Sequence, residues 1–314
     1  MKERLLSKIW HIQDPILSPY PARQLYVTVQ SILSSDCKFQ ANDKKWDVGV
    51  SLPPVYTLPY LNPLTPENEL GFDGYDNYNA PLKNGKEMFK RRMWVSGSFW
   101  FNPLNKITFG DGLQLKEWVE RVRVGNNGVI CDYIREFYHG NENIVLNTSK
   151  IPRKDNDVLQ FIKDANISVL EKRRFGYLSE NYKTIPTEDH VKEQTDNIVS
   201  TWIKPSLLSS FRMSAILFNA HMIHYSSDYA KSEGYPKIVV EAPLQIATAF
   251  QFWMNNNASL VQDVEWIKYK VGKVLWVNEK ARVCFNRNDN IHSIWIDNGP
   301  STSKCFEGTI KTIS

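Results

Sequence analysis

Hydrophobic positions recur at helical spacing in two long stretches of the chain, and segments of strand character surround each of them. From residue 21 to 33, Ala22, Leu25, Val29, Ile32 and Leu33 share one helical face after a Ser18-Pro19 start signal. Residues 243–254 are apolar almost throughout and open on Pro243, a residue pre-shaped for the first turn of a helix. Three strand-like runs, 94–101, 113–124 and 128–138, are divided by Gly110-Asp111-Gly112 and Gly125-Asn126-Asn127-Gly128, which tolerate the positive φ of tight turns. An antiparallel meander is predicted. The second half repeats the outline, with short strands expected at 264–269, 271–277, 281–285, 293–296 and 309–313. One long helix against a curled antiparallel sheet therefore occurs twice, an α+β pattern.

Two stretches stand apart. Residues 51–85 are punctuated by Pro53, Pro54, Pro59, Pro63, Pro66, Gly71, Gly74, Pro81 and Gly85, with Tyr56, Tyr60, Tyr75 and Tyr78 between them. They read as a long ordered loop: a lid or binding loop, or a proline-rich wrap over a neighbouring sheet. Residues 149–185 carry Lys150, Arg153, Lys154, Asp155 and Asp157, then Glu171, Lys172, Arg173 and Arg174, with few turn or strand signals. They read as a charged linker holding a short helix at 158–165. The expected division is an N-terminal domain at 14–148, the linker at 149–185 and a C-terminal domain at 186–314.

Composition narrows the function. A chain of 314 residues that is 42% hydrophobic can bury two cores. Its 38 basic and 34 acidic side chains leave a net charge of only +4, spread without basic tracts, so no nucleic-acid partner is expected. Cys37, Cys131, Cys284 and Cys305 are far apart and form no C-x-x-C pair, which argues against a zinc cluster or disulfide framework and for a reducing compartment. The most apolar stretch, 238–253, is interrupted by Glu241, Pro243 and Gln245 and is too short to span a bilayer. The first thirteen residues include Lys2, Glu3, Arg4 and Lys8 but no apolar block, so no secretory signal and no clear organellar presequence is expected.

The candidate chemistry lies in residues 211–225, where Asn219, His221 and His224 stand in apolar surroundings. If a short helix ends here and turns into a loop, these side chains converge on one cavity, where a neutral imidazole can move protons near pH 7. A structural histidine is the alternative. His221 and His224 as a metal pair lack a third ligand at a recognisable spacing, so no metal is expected. Further on, a strand-like run leads directly into the helix at Ala242-Pro243. The Ala242 N–H then lies at the positive end of the helix dipole, a donor suited to the oxygen of a thioester being deprotonated at its α-carbon. A plain capped core helix is the alternative.

Together these segments resemble a family. Phe218-Asn219-Ala220-His221-Met222-Ile223-His224-Tyr225, Glu233-Gly234-Tyr235-Pro236 and residues 239–244 are similar to fungal mitochondrial 3-hydroxyacyl-thioester dehydratases of type 2, relatives of MaoC-like and (R)-specific enoyl-CoA hydratases. In the first half, residues 14–29 and 58–63, Glu69-Leu70-Gly71-Phe72-Asp73-Gly74 and Arg91-Arg92-Met93-Trp94-Val95-Ser96-Gly97 resemble the same proteins and mesaconyl-CoA hydratase relatives. The likeness covers nearly the whole chain. The RRMW and FNAHMIHY segments are specific as a pair, whereas H-x-x-H or VEAPL alone is weak.

The resemblance implies a double hot-dog fold, with two antiparallel sheets each wrapped around a long central helix. It implies removal of water from a (3R)-hydroxyacyl thioester to give a trans-2-enoyl thioester, in type II fatty acid synthesis of the mitochondrial matrix. The substrate would be carried on acyl carrier protein or coenzyme A, without metal or redox cofactor, by a monomer with an internal hot-dog pair or by a homodimer. In the wider hydratase motif an Asp precedes the catalytic His by five residues, which puts His224 on the His, Asn219 on the Asp and His221 on an Asn. An amide cannot exchange a proton at neutral pH. Asn219 is therefore expected to orient the hydroxyl, while His224 takes the C2 proton and returns it to the departing hydroxyl, with Ala242 N–H holding the thioester oxygen.

Relatives have His-Gly before the helix-start proline, where this chain has Glu241-Ala242. Glu241, like His221, is either an accessory group or a bystander that points away. The departure also leaves open a drifted form that binds acyl thioesters or partners without turnover, and the fold is host to thioesterases as well. Arg91, Arg92, Arg173 and Arg174 are candidates to dock an acidic carrier, or else solvated charge.

Overall fold

A computed structural model describes residues 1–34, 43–140, 144–179, 197–299 and 303–313. Cys37 and the sequence-expected boundary at 185/186 lie outside the described residues. In chain order the first half forms α1 (Lys2–Leu6), β1 (Ile9–Asp14), α2 (Tyr20–Leu33), the two-residue strands β2 (Leu82–Lys83) and β3 (Lys86–Glu87), β4 (Arg91–Phe101), β5 (Leu113–Gly125) and β6 (Gly128–His139). Next come α3 (Asp155–Asp164) and β7 (Val169–Leu178). The second half forms β8 (Ile198–Ile203), α4 (Leu207–Ile216), α5 (Ser227–Ser232), α6 (Ala242–Asn256), β9 (Val264–Val271), β10 (Ala281–Asn288), β11 (Ile291–Asp297) and β12 (Lys304–Thr312).

The main strands join in one continuous sheet, and β2 pairs with β3 in a separate two-stranded one. Ten strands run in the order β1-β5-β6-β7-β4-β9-β12-β11-β10-β8, every pair antiparallel. Read from its outer edge inward, each half has the same order: β1-β5-β6-β7-β4 and β8-β10-β11-β12-β9. The halves fuse where β4 pairs with β9, from Ser96 opposite Lys270 to Trp100 opposite Trp266. Joining them satisfies two edges whose N–H and C=O groups would otherwise lie open. Gly97 makes the seam possible, because a Cβ there would come within 2.2 Å of the Tyr269 hydroxyl. That hydroxyl instead accepts a hydrogen bond from Trp94 Nε1 at 3.1 Å.

The two long helices, α2 and α6, form the largest core with this sheet. The α2 helix is amphipathic and buries Ala22, Leu25 and Val29 on one face, whereas α6 is buried from Pro243 through Met254. A helix apolar all round needs cover on all sides. Sheet and α2 provide it: Leu25 and Val29 join Leu244 and Phe250 in one core shared by both halves. At the far ends of the helices the Gln30 and Asn255 amides exchange hydrogen bonds of 2.9 and 3.1 Å.

Two expectations are corrected. The stretch read as a charged linker holds α3 and, at Val169–Leu178, a central strand of the sheet between β6 and β4. Its charges are paired across strands: Lys172 with Glu120 at 2.5 Å and Arg174 with Asp132 at 2.6 Å. Nor is 271–277 a sheet strand. The chain leaves β9 after Val271 and pairs with residues 238–240 instead, through Val240 N–H to Leu275 O at 2.8 Å and Val277 N–H to Ile238 O at 3.0 Å. It thereby props the segment that leads into α6.

Candidate active site

The α4 helix starts on Ser206, whose hydroxyl accepts the Ser209 N–H at 3.1 Å, a cap that fixes its entry. It ends at Ile216, and Phe218, two residues on, adopts φ +52° so that the Asn219 N–H can reach back to Ser214 O at 2.8 Å. The reversal throws residues 219–224 across a cavity of about 180 Å³. Asn219 Oδ1 accepts the His221 N–H at 3.1 Å, and Met222–His224 wind into a 3₁₀ turn. Asn219, His221 and His224 all line the cavity, as does Ala242.

His224 is held in one tautomer. Its Nδ1 lies 2.9 Å from the carbonyl oxygen of Val239; an oxygen can only accept, so Nδ1 carries the hydrogen and Nε2 keeps its lone pair. Burial lowers its pKa to about 4, opposed by the bond to Val239. The ring is thus neutral at physiological pH, with a basic nitrogen available. His221 stands edge-on to it with ring centres 5.4 Å apart. Burial, with His224 and Arg92 nearby, pushes the His221 pKa well down. Its Nε2 is buried without a hydrogen bond, 3.5 Å from Asp73 Oδ2.

The run that fixes His224 also leads directly into α6. Two residues after the Val239 carbonyl, Glu241 takes φ −65° and ψ 146° and α6 begins at Ala242. No side chain caps this helix, so the Ala242 N–H stays available at the positive end of the dipole. Glu241 does not face the same way. It is 1% exposed and absent from the cavity lining; Ser214 Oγ approaches its Oε1 at 3.5 Å, and its Oε2 has no partner. Burial raises its pKa well above the usual carboxylate range. It lies inside the core, turned toward Ser214 of α4.

The first half supplies the rest of the wall. Met222 N–H donates to Asp73 O at 2.8 Å, and Gly74, at φ +78°, lies so close that a Cβ would stand 2.2 Å from Ala220 O. The side chain of Asp73 accepts from Arg92 at 3.0 Å. Arg92 also reaches Asp76 O at 3.1 Å and lies over the Tyr75 ring at 4.1 Å. Tyr75, Asp76, Tyr78, Met93, Trp94 and Phe175 face the cavity. Sequence reasoning did not single out Tyr75, Asp76 or Tyr78 as site residues; their one signal was the proline- and tyrosine-punctuated loop, consistent with a binding loop.

The basic residues expected at a carrier-facing mouth are placed otherwise. The Arg92 and Arg173 side chains are only 5% and 13% exposed, and both line the cavity. Arg173 pairs with Glu171 at 2.6 Å. Arg174 is tied to Asp132, and Arg91 donates to Glu233 O at 2.5 Å. On β7 strand alternation puts Arg173 and Phe175 on the cavity wall and turns Arg174 to the other face, beside Asp132.

A family model for hydroxyacyl-thioester dehydratase type 2 matches residues 55–277. The mitochondrial hydroxyacyl-thioester dehydratase type 2 of Schizosaccharomyces pombe is 27% identical over 254 residues, covering 79% of this chain and 81% of its own. Among solved structures, a MaoC-like dehydratase from Phytophthora capsici superposes with a TM-score of 0.67 at 12% identity over 100% of this chain and 98% of its own. A Mycobacterium tuberculosis protein described as having a double hot-dog fold does so at 0.50, with 9% identity over 100% and 98%. These distant likenesses carry the hot-dog fold. The matched segment includes both walls of the cavity and the whole run from Asn219 through Ala242, and this chain belongs to the hydroxyacyl-thioester dehydratase type 2 family.

Proposed function

We propose that this chain is an active (3R)-hydroxyacyl-thioester dehydratase, running equally as an enoyl-thioester hydratase, in which His224 is the base at C2. The observation that carries this reading is the His224 tautomer: a neutral ring whose Nδ1–H is committed to Val239 and whose Nε2 is free toward the cavity. The bound thioester oxygen accepts from Ala242 N–H, which stabilises the enolate that forms as the C2 proton leaves. Asn219 orients the C3 hydroxyl. The Trp94, Phe175 and Met93 side chains offer an apolar wall to the acyl chain.

In this reading the chain divides into two hot-dog units, one built on α2 and one on α6, with the second carrying the chemistry and the first completing the pocket. One chain then makes internally the pair that single-unit relatives make by dimerising. The carrier is acyl carrier protein or coenzyme A, and the setting is fatty acid synthesis in the mitochondrial matrix. The S. pombe relative is named as mitochondrial, and no described helix is long and apolar enough to cross a membrane. A binding-only form gains nothing from Glu241, which lies outside the cavity lining.

The test is hydration of trans-2-enoyl thioesters, followed by loss of the enoyl absorbance, with wild type beside His224→Ala. Turnover by wild type and its loss in the variant is the expected result. A wild-type protein that binds these thioesters without converting them would replace the enzyme with the binding-only form.

A further inference from the structure

Loss of the C3 hydroxyl calls for a proton that the Asn219 amide cannot give. One carboxyl on the cavity wall keeps an oxygen without a partner. Asp76 follows Tyr75, whose ring lies 5.6 Å from His221, itself 5.4 Å from His224. It is 8% exposed and lines the cavity shared with His224, Asn219 and Ala242, and its Oδ1 is buried without a partner. The other nearby acids are occupied or face away. Asp73 accepts from Arg92 and from Tyr75 N–H, Glu87 from Asn77 and Arg92, and Glu117 from Tyr78 and Asn79; none of the three lines the cavity.

We propose that Asp76 is the general acid of the reaction, giving its proton to the C3 hydroxyl while His224 removes the proton from C2. This rests on the dehydratase reading above. The C2–H electron pair becomes the new C2=C3 bond, and the C3–O bond breaks with its electrons on oxygen. That oxygen takes the Asp76 proton and leaves as water. The imidazolium of His224 and the carboxylate of Asp76 then return to their starting forms by exchange with solvent. In hydration each group does the reverse.

The surroundings suit these roles. Burial raises the Asp76 pKa, against the opposing effects of a hydrogen bond with Thr65 and the charge of Arg92, while burial lowers that of His224 to about 4. An acid shifted up and a base shifted down in one pocket is the separation that acid–base pairs need. The other titratable or charged groups facing this cavity are Arg92 from β4, Arg173 from β7, His221 and His224 from the loop after α4, Tyr235 from the segment after α5, Lys273 from the run after β9, and Tyr75 and Tyr78 from the loop of Asp76 itself. Because the working forms are neutral His224 and protonated Asp76, dehydration should fall as pH drops through about 4 and fall again as pH rises through the elevated Asp76 pKa.

The experiment compares wild type, Asp76→Asn, Asp76→Glu and His224→Ala. Dehydration of a 3-hydroxyacyl thioester is measured against pH, beside deuterium uptake at C2 of a saturated acyl thioester, which needs a base and an oxyanion donor but no acid. Asp76→Asn is expected to lose on the order of 10²-fold or more in dehydration and to lose the alkaline limb, while keeping C2 exchange within threefold. Asp76→Glu should recover part of the rate, and His224→Ala should lose both reactions. Dehydration by Asp76→Asn within threefold of wild type overturns the proposal, as does an equal loss of dehydration and exchange, which would mark a structural role. Failure of the wild type to dehydrate any 3-hydroxyacyl thioester would instead overturn the reading on which it rests.

Discussion

The two long helices begin alike in sequence and end up differently used. The α2 helix opens Ser18-Pro19-Tyr20-Pro21, and α6 opens Val240-Glu241-Ala242-Pro243. At α2 the leading N–H groups are satisfied internally: Tyr20 donates to the Ser18 hydroxyl at 3.2 Å, and Ala22 donates to the Tyr60 hydroxyl at 3.2 Å. Tyr60 in turn donates to Ser18 O at 2.7 Å, closing the end of the helix with protein. At α6 no side chain caps the start, and the N-terminus meets a cavity. The same backbone feature is therefore a sealed structural joint in one half and open to a cavity in the other, and the difference lies in whether a neighbouring side chain fills the end.

The sharpest way to break this comparison is at the base that gives the open helix end something to do. His224→Ala should lower turnover by about 10³-fold with little change in melting temperature; nothing comparable should follow from any substitution at the α2 start. Next is the donor itself. Ala242→Pro removes the N–H while keeping a residue suited to a helix start, and Glu241 already has the extended backbone that a following proline requires. A loss of about 10²-fold in kcat is expected, and a variant with wild-type kcat would show that the helix end is not used.

On the sealed side, Tyr60→Phe should act on stability alone. It leaves the buried Ala22 N–H without an acceptor, a cost of about 1–3 kcal/mol, read as a lower melting temperature with kcat within twofold of wild type. A large kcat effect would mean that the two helix ends are less distinct than drawn here.

The smallest effect belongs to Glu241→Gln. Since burial raises the folded pKa of Glu241, the folded state holds a proton that the unfolded chain releases above its ordinary carboxylate pKa. Folding then weakens as pH rises from there toward the folded value. The amide variant lacks this penalty, so it should melt higher than wild type by an amount that grows as pH rises above the ordinary carboxylate pKa, with activity unchanged. Lost activity would give Glu241 a role that its orientation does not suggest.

Much of the fold was legible from periodicity. The helices α2 and α6 and the strands β4, β5 and β6 follow directly from apolar spacing and turn residues. The β7 strand did not, because Glu171-Lys172-Arg173-Arg174 looks like solvated charge until the neighbouring strands set acids beside it. The run 271–277 has strand composition, and only the tertiary structure shows that it pairs with 238–240 rather than with the sheet.

The site was legible on one wall only. Asn219, His221, His224 and Ala242 are close in sequence and were found together. Tyr75, Asp76 and Tyr78 come from another part of the chain, and Arg92 and Arg173 were assigned to the surface, because long-range placement leaves no local trace. The Glu241 charge suggested a catalytic partner, yet its direction depends on the first turn of α6, which composition does not encode.

Gly74 has a genetic consequence. Its missing side chain lets the first half press its backbone against Ala220, beside His221 and close to His224. Inactivating missense changes in this protein should therefore cluster at two places far apart on a linear map, one of them around codon 74, in the half that does not carry His224. A survey that weighed variants only by nearness in sequence to His224 would pass these over as benign.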